Sequence, residues 1–454
     1  MILMKHKKET VMPITVGFVS LGCSKNLLDT EIMLKHLVDA GYQITADETE
    51  ADVVIINTCA FIDSAKSEAI ENILDIAWLK ENKDLKGIVV TGCLAERFRD
   101  EIFEELPEVD ALLGVGSIHE IVTAVENAYR GKRYSLYLDK NTLALGGERV
   151  VTTPEYTAYL KIAEGCDNRC TYCAIPDIRG KFRSRPIEDL VEEAKTLEAI
   201  GVKELNIIAQ DTSRYGLDLY GEYSLAKLVR AICDNTSIPW IRLMYCYPDK
   251  ITDELCEEFK NNPRLLKYID LPIQHIDDTV LRRMNRHGGR AVIEDAIARL
   301  RAAVPDITIR STAIVGFPGE TEEQFASLCE FIKTVKFDHF GAFKYSREEG
   351  TPAALFEDQI PEEIKEDRHA ILMQTQNAVV EEKNEEKLGN TFTVLCEGYD
   401  PMQKIFYGRR ASDAPDIDAK VYFTSPRQIA EGEFVKVLVH EALEYDLVGE
   451  LVSE

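Results

Sequence analysis

Cys166, Cys170 and Cys173 fall within eight residues, in the loop EGCDNRCTYCAIP. Three thiols at C-x3-C-x2-C spacing on one short loop can reach a single metal centre, and any fold of this chain must present that loop. Thiolates are the usual ligands of iron–sulfur clusters, and a 4Fe–4S cube normally takes four of them. Three from one loop leave one iron uncapped, and an open coordination position separates a reactive metal site from a structural one. A zinc knob completed by a distant His or Cys, and three unconnected thiols, are the other readings of the spacing alone. A disulfide fits poorly. The opening MILMKHKKETVMP has lysines but no apolar stretch after them, so it reads as a loose tail and not as a signal peptide. Eleven cysteines without an export signal point to metal ligation in a reducing compartment.

Residues 14–130 read as alternating strands and helices, which predicts a parallel sheet with helices on its faces. ITVGFVSLG, ADVVIINT and GIVVTG are short β-branched runs closed by turn residues, and helical patterns follow them over Asn26–Ala40, Ile62–Leu79 and Ala95–Leu106. Cys23, Cys59 and Cys93 each come directly after one of these strands. Ligands of open parallel sheets gather beyond the carboxyl ends of the strands. Three cysteines spaced 36 and 34 residues apart would therefore meet at one sheet edge. A single free cysteine is commonly just a small buried hydrophobe; the repetition at equivalent positions is what predicts a second cluster. Residues 131–155, polar and Gly-containing (GKRY, GGERV, TTPEY), read as a linker.

Over residues 156–387 the alternation resumes in longer units. YLKIA, ELNIIA, WIRLM, YIDLP, ITIRSTAIV and HFGAFK, with helical patterns between them, predict a partial TIM-type (β/α)6 barrel with its chemistry at the C-terminal strand ends. The Cys166 loop follows the first strand and so lies at that end. A charged amphipathic helix over 361–387 leads out of the barrel. Residues 388–454 change to short alternating segments such as TFTVLCEGY, KIFYGRR and FVKVLVHEALE, predicting a small antiparallel, OB-like β-barrel. The expected class is thus α/β: a parallel-sheet N-terminal domain, a partial barrel, and a small β-barrel. Cys233, Cys246, Cys256, Cys329 and Cys396 follow no ligation pattern and read as packing residues.

AYLKIAEGCDNRCTYCAIPDIRGKFRSR resembles the radical S-adenosylmethionine (radical-SAM) superfamily, and specifically its methylthiotransferase branch. GCSKNLLDTE, NTCAFIDSAKSEA and TGCLAERF are similar to the three segments that hold an auxiliary cluster in that branch, and the C-terminal segment resembles a TRAM domain. The resemblance implies two 4Fe–4S clusters, each with three protein ligands: Cys166, Cys170 and Cys173 for one, and Cys23, Cys59 and Cys93 for the other. It also implies that S-adenosylmethionine (SAM) acts twice, as methyl donor to a sulfur on the auxiliary cluster and as source of a 5′-deoxyadenosyl radical that takes hydrogen from the substrate carbon. Other strand ends then become SAM candidates: Gln210 and Asp211 after the second strand, Gln274 and His275 after the fourth, and Arg310, Gly316 and Glu320 on and after the fifth. SAM needs partners for its ammonium, carboxylate, ribose hydroxyls and adenine face, which suits such groups. RGKFRSR, with Arg179, Lys181, Arg183 and Arg185, is a basic island that can grip the SAM carboxylate or an acidic substrate side chain.

The likeness is greatest to the branch that modifies the β-carbon of an aspartate in small-subunit ribosomal protein S-twelve, working with an electron donor such as flavodoxin or ferredoxin. A formal net charge of −26 suits a basic protein partner and opposes nucleic acid. Between Leu388 and Glu454 six Lys plus Arg face twelve Asp plus Glu, whereas binding a nucleic-acid backbone requires an excess of cations. Two readings compete: a tRNA methylthiotransferase acting on a modified adenosine, and a non-catalytic iron–sulfur or zinc protein that binds the ribosome. The first calls for a basic face, and the second would not cleave SAM. No apolar run approaches the roughly 18–20 residues that span a bilayer, so the expected location is the cytoplasm.

Overall fold

The computed structural model describes residues 14–143 and 145–452, and the tail MILMKHKKETVMP lies outside them. The chain forms two compact units, Met1–Thr152 with Asp177–Gly180, and Thr153–Pro176 with Lys181–Glu454. No helix among the described residues is long and apolar enough to cross a membrane.

The first unit is built on a six-stranded, all-parallel sheet of β1 (Thr15–Ser20), β2 (Gln43–Thr45), β3 (Val53–Thr58), β4 (Gly87–Gly92), β5 (Ala111–Leu113) and β6 (Tyr134–Leu136), in the order β2-β1-β3-β4-β5-β6. Helices α1 (Ser24–Asp39), α2 (Asp63–Asn82), α3 (Cys93–Phe98), α4 (Glu101–Glu105) and α5 (Ile121–Tyr129) connect the strands. β3 and β4 are buried at every position, as continuous β-branched runs covered on both faces must be. Val16, Ile32, Met33, Leu37, Val53, Ile55, Val89 and Ile121 pack one face of the sheet.

Three expectations change here. The helix read over Ala95–Leu106 is two helices, because Arg99 takes φ 50° and ends α3. β2, β5 and β6 have three residues each, too short to leave a period-2 pattern in the sequence. Residues 131–155 are not a free linker. Tyr134–Leu136 is the edge strand β6, and the Thr152 amide donates to Glu31 at 2.7 Å beside the Arg149–Glu31 ion pair.

The second unit carries β7 (Thr157–Lys161), the short antiparallel pair β8 (Ala163–Glu164) and β9 (Arg183–Ser184), then β10 (Glu204–Ile208), β11 (Trp240–Leu243), β12 (Leu265–Asp270), β13 (Thr308–Val315) and β14 (His339–Lys344). β7 and β10 to β14 form one parallel sheet with neighbours in chain order, the arrangement of a partial (β/α)6 barrel. The helix Glu362–Glu385 follows, and β15 (Thr391–Asp400), β16 (Ile405–Arg410), β17 (Val421–Thr424), β18 (Phe434–Ala442) and β19 (Leu447–Leu451) close into a small barrel around Val394, Phe406, Phe423 and Val437.

The small barrel seats on the N-terminal ends of the parallel strands. Glu204, first residue of β10, is fully buried and holds two guanidiniums, Arg242 at 2.8 Å and Arg409 of β16 at 2.5 Å. His339, first residue of β14, meets Asp413 at 3.3 Å. The opposite, C-terminal strand ends remain for the site.

Candidate metal centres

In the first unit the sequence repeat becomes a spatial one. Cys23 caps the start of α1 just past β1, Cys59 follows β3, and Cys93 opens α3 directly after β4. Gly22 makes the approach possible: at φ 89° it takes a left-handed turn, and a Cβ there would lie 2.7 Å from the Cβ of Cys59. Arg97 donates to the Ala60 carbonyl at 2.8 Å and ties α3 to the Cys59 loop.

Arg179 also belongs to this unit. Its Nη1 donates to Asp29 at 2.5 Å, its Nη2 to the Asn26 amide oxygen, and the same nitrogen lies 3.7 Å from the sulfur of Cys93. Asn26 donates in turn to the carbonyls of Thr58 (2.9 Å) and Leu21 (3.2 Å), fixing both neighbouring loops. Burial pushes the Cys93 thiol up to about 12 and raises that of Cys59, and the charges of Cys23, Cys59 and Arg179 are all felt at Cys93. Such thiols stay protonated until a cation displaces the proton, as metal-ligand cysteines do on loading.

The second centre is the loop after β8. Burial drives Cys166 up to about 11 and raises Cys173 further, with the charge of Cys170 contributing to both. Asn168 clamps the loop: its Nδ2 donates to Asp211 at 2.8 Å and to the sulfur of Cys166 at 3.5 Å, and its Oδ1 accepts from Lys250 at 3.2 Å. Lys250 also reaches Asp211 at 3.2 Å. The Tyr247 hydroxyl lies 3.8 Å from Cys170, and the Arg286 guanidinium stacks 4.0 Å from the Tyr247 ring centroid. All eleven cysteines are free of disulfides. No three His, Cys, Asp or Glu side chains among the described residues group tightly enough to share one metal ion. A 4Fe–4S cube takes each thiolate on a different iron and does not need that grouping. Three disulfide-free thiols on one clamped loop, Cys166 and Cys170 buried and Cys173 partly so, fit such a cube.

Of the SAM candidates, Gln210 and Asp211 lie beside this loop. Gln210 donates to Glu164 at 2.6 Å, and its Oε1 is buried without a hydrogen-bond partner. Gln274 takes a left-handed φ of 67° and bridges to Ala313 of β13. Gly316, at φ 70°, turns the chain after β13.

Two others are corrected. Glu320 is buried in an ion hub, with Arg368 at 3.0 Å and His275 at 3.2 Å, and its acceptors are taken. Arg310 is the third residue of β13, and its guanidinium is taken up by Asp270 (3.1 Å) and by Asp418 of the small barrel (3.4 Å). The basic island also dissolves. Arg179 sits with the first triad, and Arg185 is buried against Glu193 at 2.7 Å and the Lys161 carbonyl at 3.0 Å. Arg183 is half-buried on β9, and Lys181 is exposed. Asn168 was readable inside the C-x3-C-x2-C motif, where it is the sole side-chain amide; Tyr247, Lys250 and Arg286 come from other strand ends and carry no motif.

The comparisons with known proteins agree with this architecture. Residues 15–114 match the family described as "Uncharacterized protein family UPF0004", residues 160–332 the radical SAM superfamily, and residues 388–452 the TRAM domain. A Desulforamulus reducens protein named ribosomal protein uS12 methylthiotransferase RimO is 48% identical over 443 residues, covering 97% of this chain and 100% of the relative. One from Acetivibrio thermocellus with the same name is 48% identical over 447 residues, covering 97% and 98%. Among solved structures, the radical S-adenosylmethionine methyltransferase TsrM from Kitasatospora setae, with cobalamin and a [4Fe-4S] cluster bound, matches with a TM-score of 0.56 at 16% identity, covering 76% of this chain and 77% of that one. That likeness shows the fold alone. Radical-SAM enzymes work with SAM and a 4Fe–4S cluster, and by near-half identity across almost the whole of both chains this one belongs to the RimO family of ribosomal protein methylthiotransferases.

Proposed function

We propose that the chain inserts a methylthio group at the β-carbon of an aspartate in the small-subunit ribosomal protein uS12, the protein that its relatives are named for. One observation carries this reading: two separate cysteine triads, each beyond the carboxyl ends of its own parallel sheet, in a chain nearly half identical to those relatives end to end. Cys166, Cys170 and Cys173 hold one cluster, and Cys23, Cys59 and Cys93 hold a second. When bound, the clusters and SAM supply the electron, the carbon radical and the methylated sulfur that the reaction needs.

The side chains around them have their own tasks. Asn168 and Tyr247 set N–H and O–H groups against Cys166 and Cys170, and such contacts orient a ligand and tune its charge. Arg179 does the same for Cys93. The unpartnered Gln210 acceptor offers a seat for a hydroxyl or ammonium of SAM. Cys93, Cys166 and Cys170 are buried, which limits water at those ligands.

A basic ribosomal protein is the substrate that a chain of net charge −26 attracts. The small barrel serves here as a seat and not as an RNA-binding module: Arg409 and Arg410, two of its six cations, are buried in ion pairs with Glu204 and Asp413. The work takes place in the cytoplasm with a small electron-transfer protein such as flavodoxin or ferredoxin. Anaerobic reconstitution with iron, sulfide, SAM and a reductant, offering uS12 and tRNA side by side, tests the reading by mass spectrometry. A methylthio group on the uS12 aspartate is the expected product. Its appearance on tRNA alone, or on neither, overturns the proposal.

A further inference from the structure

The helices that follow two of the first-unit cysteines wall a groove. α2 starts four residues after Cys59, and α3 starts at Cys93 itself. Between them and α4 lies a cavity of about 390 Å³, lined by Ile70, Leu94, Phe98, Ile102 and Leu106, with Glu101 and Glu105 at its rim. Leu94 is the chain neighbour of Cys93, so the groove runs up to the auxiliary cysteine loops.

The outer face of α2 extends this apolar surface. Ile70, Leu74 and Trp78 recur every four residues and therefore share one helix face, yet they are 39%, 47% and 54% exposed. A contiguous exposed apolar stripe on a soluble protein marks an interaction site more often than chance. Most of the charges around it are acidic, although Lys66 and Arg97 both lie over the ring of Phe98. Asp63 and Glu81 stand at the two ends of the stripe, Glu71 and Asp75 flank it, and Glu101 and Glu105 edge the groove; all are exposed. Lys66, the cation in the lining, is paired with Asp63.

We infer that this groove and the Ile70–Leu74–Trp78 stripe dock a basic polypeptide segment bearing apolar anchors, which brings the protein substrate to the cluster loops. The inference rests on the methylthiotransferase reading and adds where the substrate is held. An apolar floor supplies affinity and an acidic rim supplies steering and selection, so a nucleic acid or an acidic protein is repelled by the same surface. The carboxylates also make the docking sensitive to ionic strength.

Trp78 gives a direct readout. The chain has two tryptophans, and the other, Trp240, is buried at 8% exposure beneath the small barrel's Phe434, with ring centroids 4.8 Å apart. Titrating the reconstituted full-length protein with uS12 should shift the tryptophan emission to the blue, and Trp78→Phe should remove that shift. Glu101→Lys/Glu105→Lys should weaken the Kd for uS12 by tenfold or more, while formation of 5′-deoxyadenosine without uS12 stays at the wild-type rate. A titration that leaves Trp78 emission unchanged, or a charge-reversed variant with wild-type Kd, overturns the groove. The two readings fail separately. Methylthiolated uS12 without a Trp78 shift removes the docking site and leaves the activity, whereas a Trp78 shift without product removes the activity and leaves the docking site.

Discussion

Arg179 donates to Asp29 at 2.5 Å while the same guanidinium lies 3.7 Å from the sulfur of Cys93. Both side chains of the ion pair are almost wholly buried. A buried cation with one fixed carboxylate still has N–H groups to spend, and here they face Asn26 and a thiol. Removing one partner of a buried pair typically costs about 3–5 kcal/mol, because the other charge is left without compensation. Arg179→Met should therefore lower the urea midpoint of the first unit clearly. Arg179→Met/Asp29→Leu should recover most of the loss. A single variant with the wild-type midpoint would show that the pair carries no such coupling.

The two triads separate by substitution. Cys166→Ala, Cys170→Ala or Cys173→Ala should bring 5′-deoxyadenosine formation down to background if, as proposed, that loop holds the cluster that cleaves SAM. Cys59→Ala should leave SAM cleavage in place and stop methylthio transfer. Product analysis by chromatography and mass spectrometry reads both, and methylthiolated product from Cys59→Ala would remove the role assigned to the first triad.

The seat of the small barrel predicts an acid transition. Burial alone would raise Glu204, but Arg409 and Arg242 hold it below its ordinary value; Asp413 is held well below by Arg410 and His339 against the same burial. Carboxylates depressed in the folded state add stability that is fully present above the unfolded values, near pH 4–4.5, and that is lost as pH falls through the folded ones. Arg409→Met should weaken the seat by about 3–5 kcal/mol at neutral pH, a loss that shrinks at acid pH as Glu204 protonates, and should expose the junction near Leu388 to limited proteolysis. Wild-type resistance to protease in that variant would contradict the account of the junction.

Lys387 predicts the opposite pH trend. Burial and the nearby Arg410 guanidinium lower it to about 8, although Asp413 and Asp338 pull the other way, and its ammonium has the Asn384 amide oxygen at 2.8 Å. A lysine depressed below its unfolded value of about 10.4 costs stability at pH below the folded value, and the cost fades as pH rises between the two. Lys387→Met should stabilise the protein by on the order of 2 kcal/mol at pH 7. The gain should shrink between pH 8 and about pH 10. Paired thermal melts across that range check the sign.

Much of this architecture was legible because chemistry and periodicity coincided. VVIINT and GIVVTG are buried on both faces, so their runs are unbroken, and the cysteine after each strand marks the sheet edge without any coordinates. The three-residue edge strands escaped, since QIT, ALL and YSL are too short to display a pattern. Arg310 was misplaced for a geometric reason: β13 is eight residues long, so a residue early in it sits toward the small barrel even though its strand leads to the site. Arg179 was assigned to an exposed basic island because sequence adjacency to Arg183 and Arg185 says nothing about burial. Its true neighbours, Asn26, Asp29 and Cys93, are 153, 150 and 86 residues away.

The central claim is that both cysteine triads carry a ligand-deficient iron cube. Mössbauer spectroscopy with iron and sulfide analysis of anaerobically reconstituted protein measures this directly, on the wild type and on variants lacking one triad. The account predicts two 4Fe–4S clusters per chain in the wild type and one in each variant. A single cluster in the wild type, lost entirely when either triad is replaced, would contradict it.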